Sequence, residues 1–412
     1  MKNTKKIAGK ITRTLFVSQS IVSAALITTG TVNSIAGAEL SGVIAWAGFP
    51  TTVLLFSAAL GALGWGLIME RIGRRKSLVF GLLLGGLGGI IAGSAFSKGS
   101  FPFFLVGMSL FGFAQSSMQL GRFAAAEVNP VEKRGQAIAN VVLGGTVGAI
   151  AGPVLVSPAG VLASKFGFPQ LVGPYGTAFL LFILAVLVVF IWLRPDPMDI
   201  AKKLVIKDQE SKPIVGTHRA ISEILRQPGV LVAILAMVLG QVVMVMLMVI
   251  TSLHMKDLTH PLSSISLVIS AHTFGMYAFS IVSGRLADRF GRETVIMMGS
   301  GILILAGLSA GLSPDVFPIA ISLFLLGLGW NFCYVGGSTL LTDQLSPPEQ
   351  SRMQGVNDLL IGLASAAGSL GSGFVFAAVG YQEMGFVGAA VAIIPLVVAY
   401  WWTKNTLKHS FV

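Results

Sequence analysis

GWGLIMERIGRRK, residues 64–76, sets Glu70, Arg71, Arg74, Arg75 and Lys76 at the end of a long apolar run. A near copy, GRLADRFGRE, occupies residues 284–293, so that Gly66, Glu70, Arg71, Gly73 and Arg74 align with Gly284, Asp288, Arg289, Gly291 and Arg292. The same separation of 218 residues carries Pro130, Arg134 and Gln136 onto Pro348, Arg352 and Gln354, and Glu39 onto Asp257. Independent matches at one offset indicate an internal duplication.

Composition fixes the setting of that duplication. Of 412 residues 54% are hydrophobic and only 11% are charged, too little polar surface for an aqueous protein of this length. Walking the chain for apolar runs of about 20 residues, the length that crosses a hydrocarbon core, gives twelve. They lie near 15–36, 45–69, 77–96, 101–126, 136–163, 171–193, 230–253, 265–283, 294–312, 316–341, 355–377 and 385–402. Alternating strands are absent, and backbone in lipid must satisfy its own hydrogen bonds, so helices are expected. The basic start MKNTKKIAGKITR leads into the first run and reads as a retained first helix.

With the N-terminus inside, only Lys98, Lys165 and Lys256 of the 28 Lys and Arg residues fall outside, which predicts cytoplasmic termini. The net charge of +11 then marks the inner face and its attraction to acidic lipid, and is no sign of nucleic-acid binding. One cysteine, Cys333, allows no internal disulfide and no Cys-rich metal site. The polar stretch 194–229 reads as a cytoplasmic linker between a first bundle, 1–193, and a second, 230–412. Within it Ala220, Ile221, Ile224 and Leu225 share one helical face, which suits a short interfacial helix or a solvated tether.

Gly-x-x-x-Asp/Glu-Arg-x-Gly-Arg-Arg between spans two and three, echoed between eight and nine, resembles the signature of the major facilitator superfamily. Because both copies follow the second span of a six-span half, the repeat is parallel, about an axis along the membrane normal. The resemblance implies an all-α integral membrane fold of twelve helices in two six-helix bundles. It further implies a secondary transporter, functional as a monomer, that exposes a site between the bundles to each side in turn.

The same resemblance assigns the charged turns to a conformational latch. Glu70 would meet the N-terminus of span eleven near Gly355 and Val356, where unpaired amides favour a carboxylate. Arg74 would pair with Glu127 at the end of span four. By the offset, Asp288 would face the start of span five near Ala137, and Arg292 would reach Asp343 after span ten. Arg71 and Arg289 complete the motif, while Gly66, Gly73, Gly284 and Gly291 are expected to permit close approach and a tight turn. The alternative is that these charges only hold topology.

In span five, Gly144, Gly148, Gly152 and Pro153 resemble the Gly-x-x-x-Gly-Pro motif of antiporters in this superfamily. Leu155-Val156-Ser157 replaces the glycine pair expected after it, so a general small-residue packing face is the competing reading. Met108 stands where drug and proton antiporters often carry an Arg in span four. Ionisable groups inside a membrane are candidates for proton coupling; these are His272 in mid-span eight, Asp358 near the inner end of span eleven and Glu39 near the outer end of span one. A neutral core histidine is the competing reading of His272.

Polar and aromatic side chains near the midpoints of spans one, four, seven and ten are the candidates for substrate contact. They are Thr28, Thr29, Asn33, Gln115, Gln119, Gln241, Trp330, Asn331 and Tyr334. None is charged, which suits a neutral or amphipathic organic molecule better than a small anion. Interhelical hydrogen bonding is the ordinary alternative for each. No His-rich cluster, nucleophile motif or nucleotide loop is present in the sequence, so neither an enzyme, a metal site nor a cofactor is expected. The leading expectation is proton-coupled efflux of drugs or amphipathic metabolites across the cell membrane. A facilitator or symporter importing a small polar nutrient is the second, and a non-transporting receptor the third.

Overall fold

The computed structural model describes residues 2–130, 133–200 and 219–410; most of the expected linker, 201–218, lies outside them. Helices account for the regular structure, and no strand occurs among the described residues. They are α1 (Lys2–Gly30), α2 (Asn33–Ser41), α3 (Phe49–Ile72), α4 (Arg74–Lys98), α5 (Phe101–Glu127), α6 (Arg134–Lys165) and α7 (Val172–Trp192). After the linker follow α8 (Ile221–Leu225), α9 (Pro228–Asp257), α10 (Leu262–Ala278), α11 (Ser280–Phe290), α12 (Arg292–Ser309), α13 (Val316–Asp343), α14 (Pro347–Val379) and α15 (Tyr381–Ser410).

Among the described residues eleven helical stretches are long and apolar enough to span a membrane, and α10 with α11, bent by 40° at Phe279, makes a twelfth crossing. Span one is α1 continued, after a break at Thr31 and Val32, by α2. Many large apolar side chains stand exposed, Leu63 at 76% and Phe317 at 75%. Water would not tolerate so much of this surface, whereas lipid does. The protein is a multi-pass membrane protein.

The described residues form two compact units. The first takes the chain up to Ser41 and from Val53 through α7; the second takes Gly42–Thr52 and everything from Arg219 onward. Gly42–Thr52 belongs to the second unit because it packs on α14. There Ser369 Oγ donates to the Gly48 carbonyl at 2.9 Å and Thr52 Oγ1 to the Ala366 carbonyl at 3.3 Å.

Inside the first unit, α1 lies directly on α6 along the Gly144, Gly148 and Gly152 stripe. A Cβ at Gly148 would run into the Ser20 carbonyl and one at Gly144 into that of Phe16. Ser23 Oγ donates to the Gly145 carbonyl at 2.7 Å, and Thr28 Oγ1 to that of Gly152 at 2.9 Å. Without a hydrophobic drive between helices in lipid, such close backbone approach and its hydrogen bonds supply the association energy.

In the second unit a tie between other spans, ten and eight, is polar. Asn331 of α13, only 2% exposed, donates through Nδ2 to the Met276 carbonyl at 2.7 Å and to Ser280 Oγ at 2.8 Å. It accepts at Oδ1 from Ser283 Oγ at 2.8 Å. Asn331 therefore satisfies backbone and side-chain groups on both sides of the break between α10 and α11, as a bent span in lipid requires.

Candidate functional site

Four helices of the second unit bring together a polar and aromatic wall. Trp330 Nε1 donates to Gln241 Oε1 at 2.7 Å, and Gln241 Nε2 donates to Ser365 Oγ at 2.8 Å, joining α13, α9 and α14. The Trp330 ring stacks on Tyr334, with centroids 5.0 Å apart and planes at 21°, and Tyr277 stands edge-on to it at 6.4 Å. Trp330, Tyr334 and Gln241 remain partly exposed. The wall offers aromatic faces, hydroxyls and an amide, and no formal charge.

The other sequence candidates are placed differently. Asn331 spends its amide on the α10–α11 break, so its polarity serves that bend rather than a solute. Thr28 and Thr29 are fully buried and donate to backbone carbonyls, Thr28 to Ala24 and Gly152, and Thr29 to Ala25 and Leu26. Asn33 begins α2 and accepts at Oδ1 from the Tyr175 hydroxyl at 3.0 Å, while its Nδ2 is buried with no partner among the described residues. Gln115 Oε1 on α5 is likewise buried and unpaired among them, and Gln119 is exposed.

His272 is wholly buried on α10, and its Nδ1 lies 2.9 Å from the Leu323 carbonyl. A carbonyl only accepts, so Nδ1 carries the proton and the ring is held as the Nδ1–H tautomer. Nε2 has no partner among the described residues. Asp358 is half-buried on α14, and Glu39 is exposed on α2.

The charged turns show two-fold likeness in detail. Gly73 and Gly291 have φ of 92° and 91°, a backbone region that L side chains avoid, and each ends one helix and starts the next. Arg74 holds Glu127 bidentately, Nε to Oε2 at 3.1 Å and Nη2 to Oε1 at 2.5 Å. Arg292 reaches Asp343 at 3.0 Å, Asp288 at 3.0 Å and the Ala287 carbonyl at 2.7 Å. The first pair is the more sheltered and better aligned, so it is the stronger. Glu70, Arg71 and Arg289 are exposed at the ends of α3 and α11, and Arg289 stacks over Phe290. Close approach does not explain Gly66 or Gly284, because a Cβ at either meets no atom of its own unit within 4 Å.

Two acids at these ends escaped the sequence reading. Asp196, just past α7, accepts from the N–H groups of Arg74 at 3.2 Å, Arg75 at 3.0 Å and Met198 at 2.9 Å. It thereby supplies the N-terminus of α4 with the carboxylate that this helix lacks locally. Glu349, 3% exposed in the first turn of α14, binds Arg219 through Nε at 2.8 Å and Nη2 at 2.6 Å and accepts from the Ser346 N–H at 2.9 Å. The Arg219 hydrogen bonds, then those from Ser346, hold its carboxyl well below the usual carboxylate range. Ser346-Pro-Pro-Glu349 carries the capping-box spacing, a signal present in the sequence. Nothing local marks Arg219 as the partner, or Asp196 as a cap for a helix more than 100 residues earlier. At the other end of the unit, His254 stacks on Tyr381 at 4.2 Å, whose hydroxyl shares a 2.8 Å hydrogen bond with Thr251.

Two repeated six-span halves, matching charged turns and polar groups set inside apolar helices define a membrane carrier. The family model described as Major Facilitator Superfamily matches residues 15–261 and 233–410, and the chain belongs to that family of transporters. It is 34% identical over 395 residues to the MFS-type transporter YdeG of Bacillus subtilis, covering 94% of this chain and 91% of the relative. It is 29% identical over 375 residues to the riboflavin transporter RfnT of Brucella anthropi, covering 89% of each. It is 23% identical over 361 residues to the multidrug resistance protein MdtG of Proteus mirabilis, covering 87% and 85%.

Proposed function

We propose that this chain moves a neutral, amphipathic organic molecule bearing a planar ring, exporting it across the cell membrane in exchange for protons. The observation that carries this reading is the Gln241–Trp330–Tyr334 wall. Aromatic faces stack on a flat ring at little entropic cost, and the amide and hydroxyls orient its polar edge. An uncharged wall suits a neutral solute, since a small anion needs a basic cluster. Similarity to MdtG and the partial antiporter-like stripe on α6 support export.

The basic loops favour cytoplasmic termini. The proposed working cycle rocks two six-span bundles, with Glu70 fastening to the start of α14 and Asp288 to that of α6 when their inner ends meet. His272 is the proposed coupling group, because its unpaired Nε2 is a base held inside a span. A second reading is a facilitator or symporter importing a small polar nutrient, and similarity to the riboflavin transporter RfnT makes a ring-bearing one a candidate.

Proteoliposomes loaded with buffer of one pH and diluted into another separate these readings, with riboflavin and a lipophilic dye as probes. Exchange predicts uptake driven by an acid interior and abolished by a protonophore. Uptake driven by an acid exterior, or indifferent to both, rejects it. Trp330→Ala and Gln241→Ala should raise KM severalfold, and His272→Gln should remove the dependence on the proton gradient. Unchanged KM in both wall variants rejects the wall as the binding surface.

A further inference from the structure

An indole N–H only donates, which fixes the direction of the hydrogen bonds in the aromatic wall. Trp330 Nε1 lies 2.7 Å from the Gln241 amide, so the atom facing it is the oxygen, and Nε2 is turned to Ser365 Oγ at 2.8 Å. Ser365, 4% exposed, gives its own proton to the Ile361 carbonyl at 2.8 Å and is left to accept from Gln241. Donors therefore run one way, from Trp330 to Gln241 and from Gln241 through Ser365 to the backbone of α14. Trp330 has no donor left for a solute, and Gln241 keeps one N–H and one lone pair.

Tyr277 differs from both. It stands just before the bend of span eight, where its carbonyl accepts from the Phe279 N–H and from Ser280 Oγ at 3.0 Å. Asn331 holds that bend from α13, the helix that carries Trp330, and the Tyr277 ring lies 6.4 Å from the Trp330 ring at 74° to it. The side chain is partly exposed, and its hydroxyl forms no hydrogen bond among the described residues, nor is it sealed in as His272 Nε2 is. The duplicated scaffold gives this hydroxyl no duty. The glycine turns that the fold needs occur in both halves, at Gly73 and Gly291, whereas 218 positions before Tyr277 stands Ala59. Trp330 and Gln241 are likewise private to the second half, where Gly112 and Ser23 are their counterparts in the first.

We propose that Tyr277 sets specificity by donating its hydroxyl proton to an acceptor on the edge of the planar solute, a carbonyl oxygen or an unprotonated ring nitrogen. This rests on the wall being the binding surface, as in the function proposed above. A phenol donates better than it accepts, because its oxygen lone pair is drawn into the ring, and the remaining N–H of Gln241 is a second donor beside the same stack. A site built to make such bonds discriminates against the analogue that lacks the acceptor, since its own donors are then left unpaired.

Fluorenone and fluorene test this, because the two planar molecules differ only by a carbonyl in place of a CH2 group. The full chain is purified in neutral detergent, and binding of each tritiated probe is measured by scintillation proximity. Wild type is expected to bind fluorenone about five- to tenfold more tightly than fluorene. Tyr277→Phe should lose that factor for fluorenone and keep the wild-type affinity for fluorene. It should elute and melt as wild type does, because the hydroxyl holds nothing in the fold. Trp330→Ala should weaken both probes. If Tyr277→Phe binds both probes as wild type does while Trp330→Ala weakens both, the wall stands and the role of Tyr277 is overturned. Equal affinity of wild type for the two probes, equal loss of both in Tyr277→Phe, or a lowered Tm in that variant overturns it as well. If Trp330→Ala binds both probes as wild type does, or wild type binds neither, the wall is rejected as the binding surface and the role of Tyr277 with it.

Discussion

Replacing Asn331 by Leu separates two roles that a mid-span amide can play. Three hydrogen bonds disappear, to the Met276 carbonyl at 2.7 Å, to Ser280 Oγ at 2.8 Å and from Ser283 Oγ at 2.8 Å. At about 0.6–1.5 kcal/mol each, the range from membrane double-mutant cycles to soluble proteins, the loss is about 2–4 kcal/mol. Leu has the same number of side-chain heavy atoms, branched at the same carbon, and is the bulkier of the two, so none of that arises from a cavity. For a unit of this size each kcal/mol moves Tm by about 2–4 °C, which gives a fall of roughly 5–15 °C in purified protein. Ser283→Ala removes one bond and should cost about a third as much. Because the amide is spent on the bend, the transport that survives in Asn331→Leu should keep a wild-type KM. A variant with unchanged Tm and a KM raised tenfold would refute this reasoning and make Asn331 a substrate ligand.

Gly148→Leu should abolish assembly of the first unit, read as loss of monodisperse protein, because its side chain meets the Ser20 backbone; Gly66→Ala, with open space within its unit, should leave Tm unchanged or slightly raised. Gly73→Ala and Gly291→Ala should each cost about 1–2 kcal/mol, seen as a similar fall in Tm, since both replace glycine at φ near 90°. Glu349 has a folded pKa held below its ordinary 4.5, so its contribution to stability is present above that value and is lost as pH falls beneath it. The Tm advantage of wild type over Glu349→Gln should therefore shrink between about pH 5 and 3, while remaining constant from pH 6 to 8.

Much of this architecture is written in single residues and their spacing. Long apolar runs are legible because lipid demands about 20 residues per crossing whatever the neighbours are. The charged turn is legible because Gly73 and Gly291 answer a local backbone need and because the duplication shows it twice. The bend in span eight is not, since Tyr277-Ala278-Phe279 contains no proline or glycine and the groups that settle it come from Asn331 on another helix. Among the polar candidates, sequence alone treats Gln241, Asn331 and Thr28 alike. Their neighbours separate them: Gln241 joins a partly open aromatic wall, whereas Asn331 and Thr28 face backbone carbonyls.

By itself, then, the sequence determined the membrane setting, the twelve crossings and the duplication, all properties of hydropathy and spacing along the chain. Tertiary structure alone decided which acid serves which helix start. Asp196 caps α4 across 122 residues, and Glu349 is held by Arg219 across 130. Hydrogen bonds act over about 3 Å of space and are indifferent to separation along the chain, so only the packed helices could select these pairs.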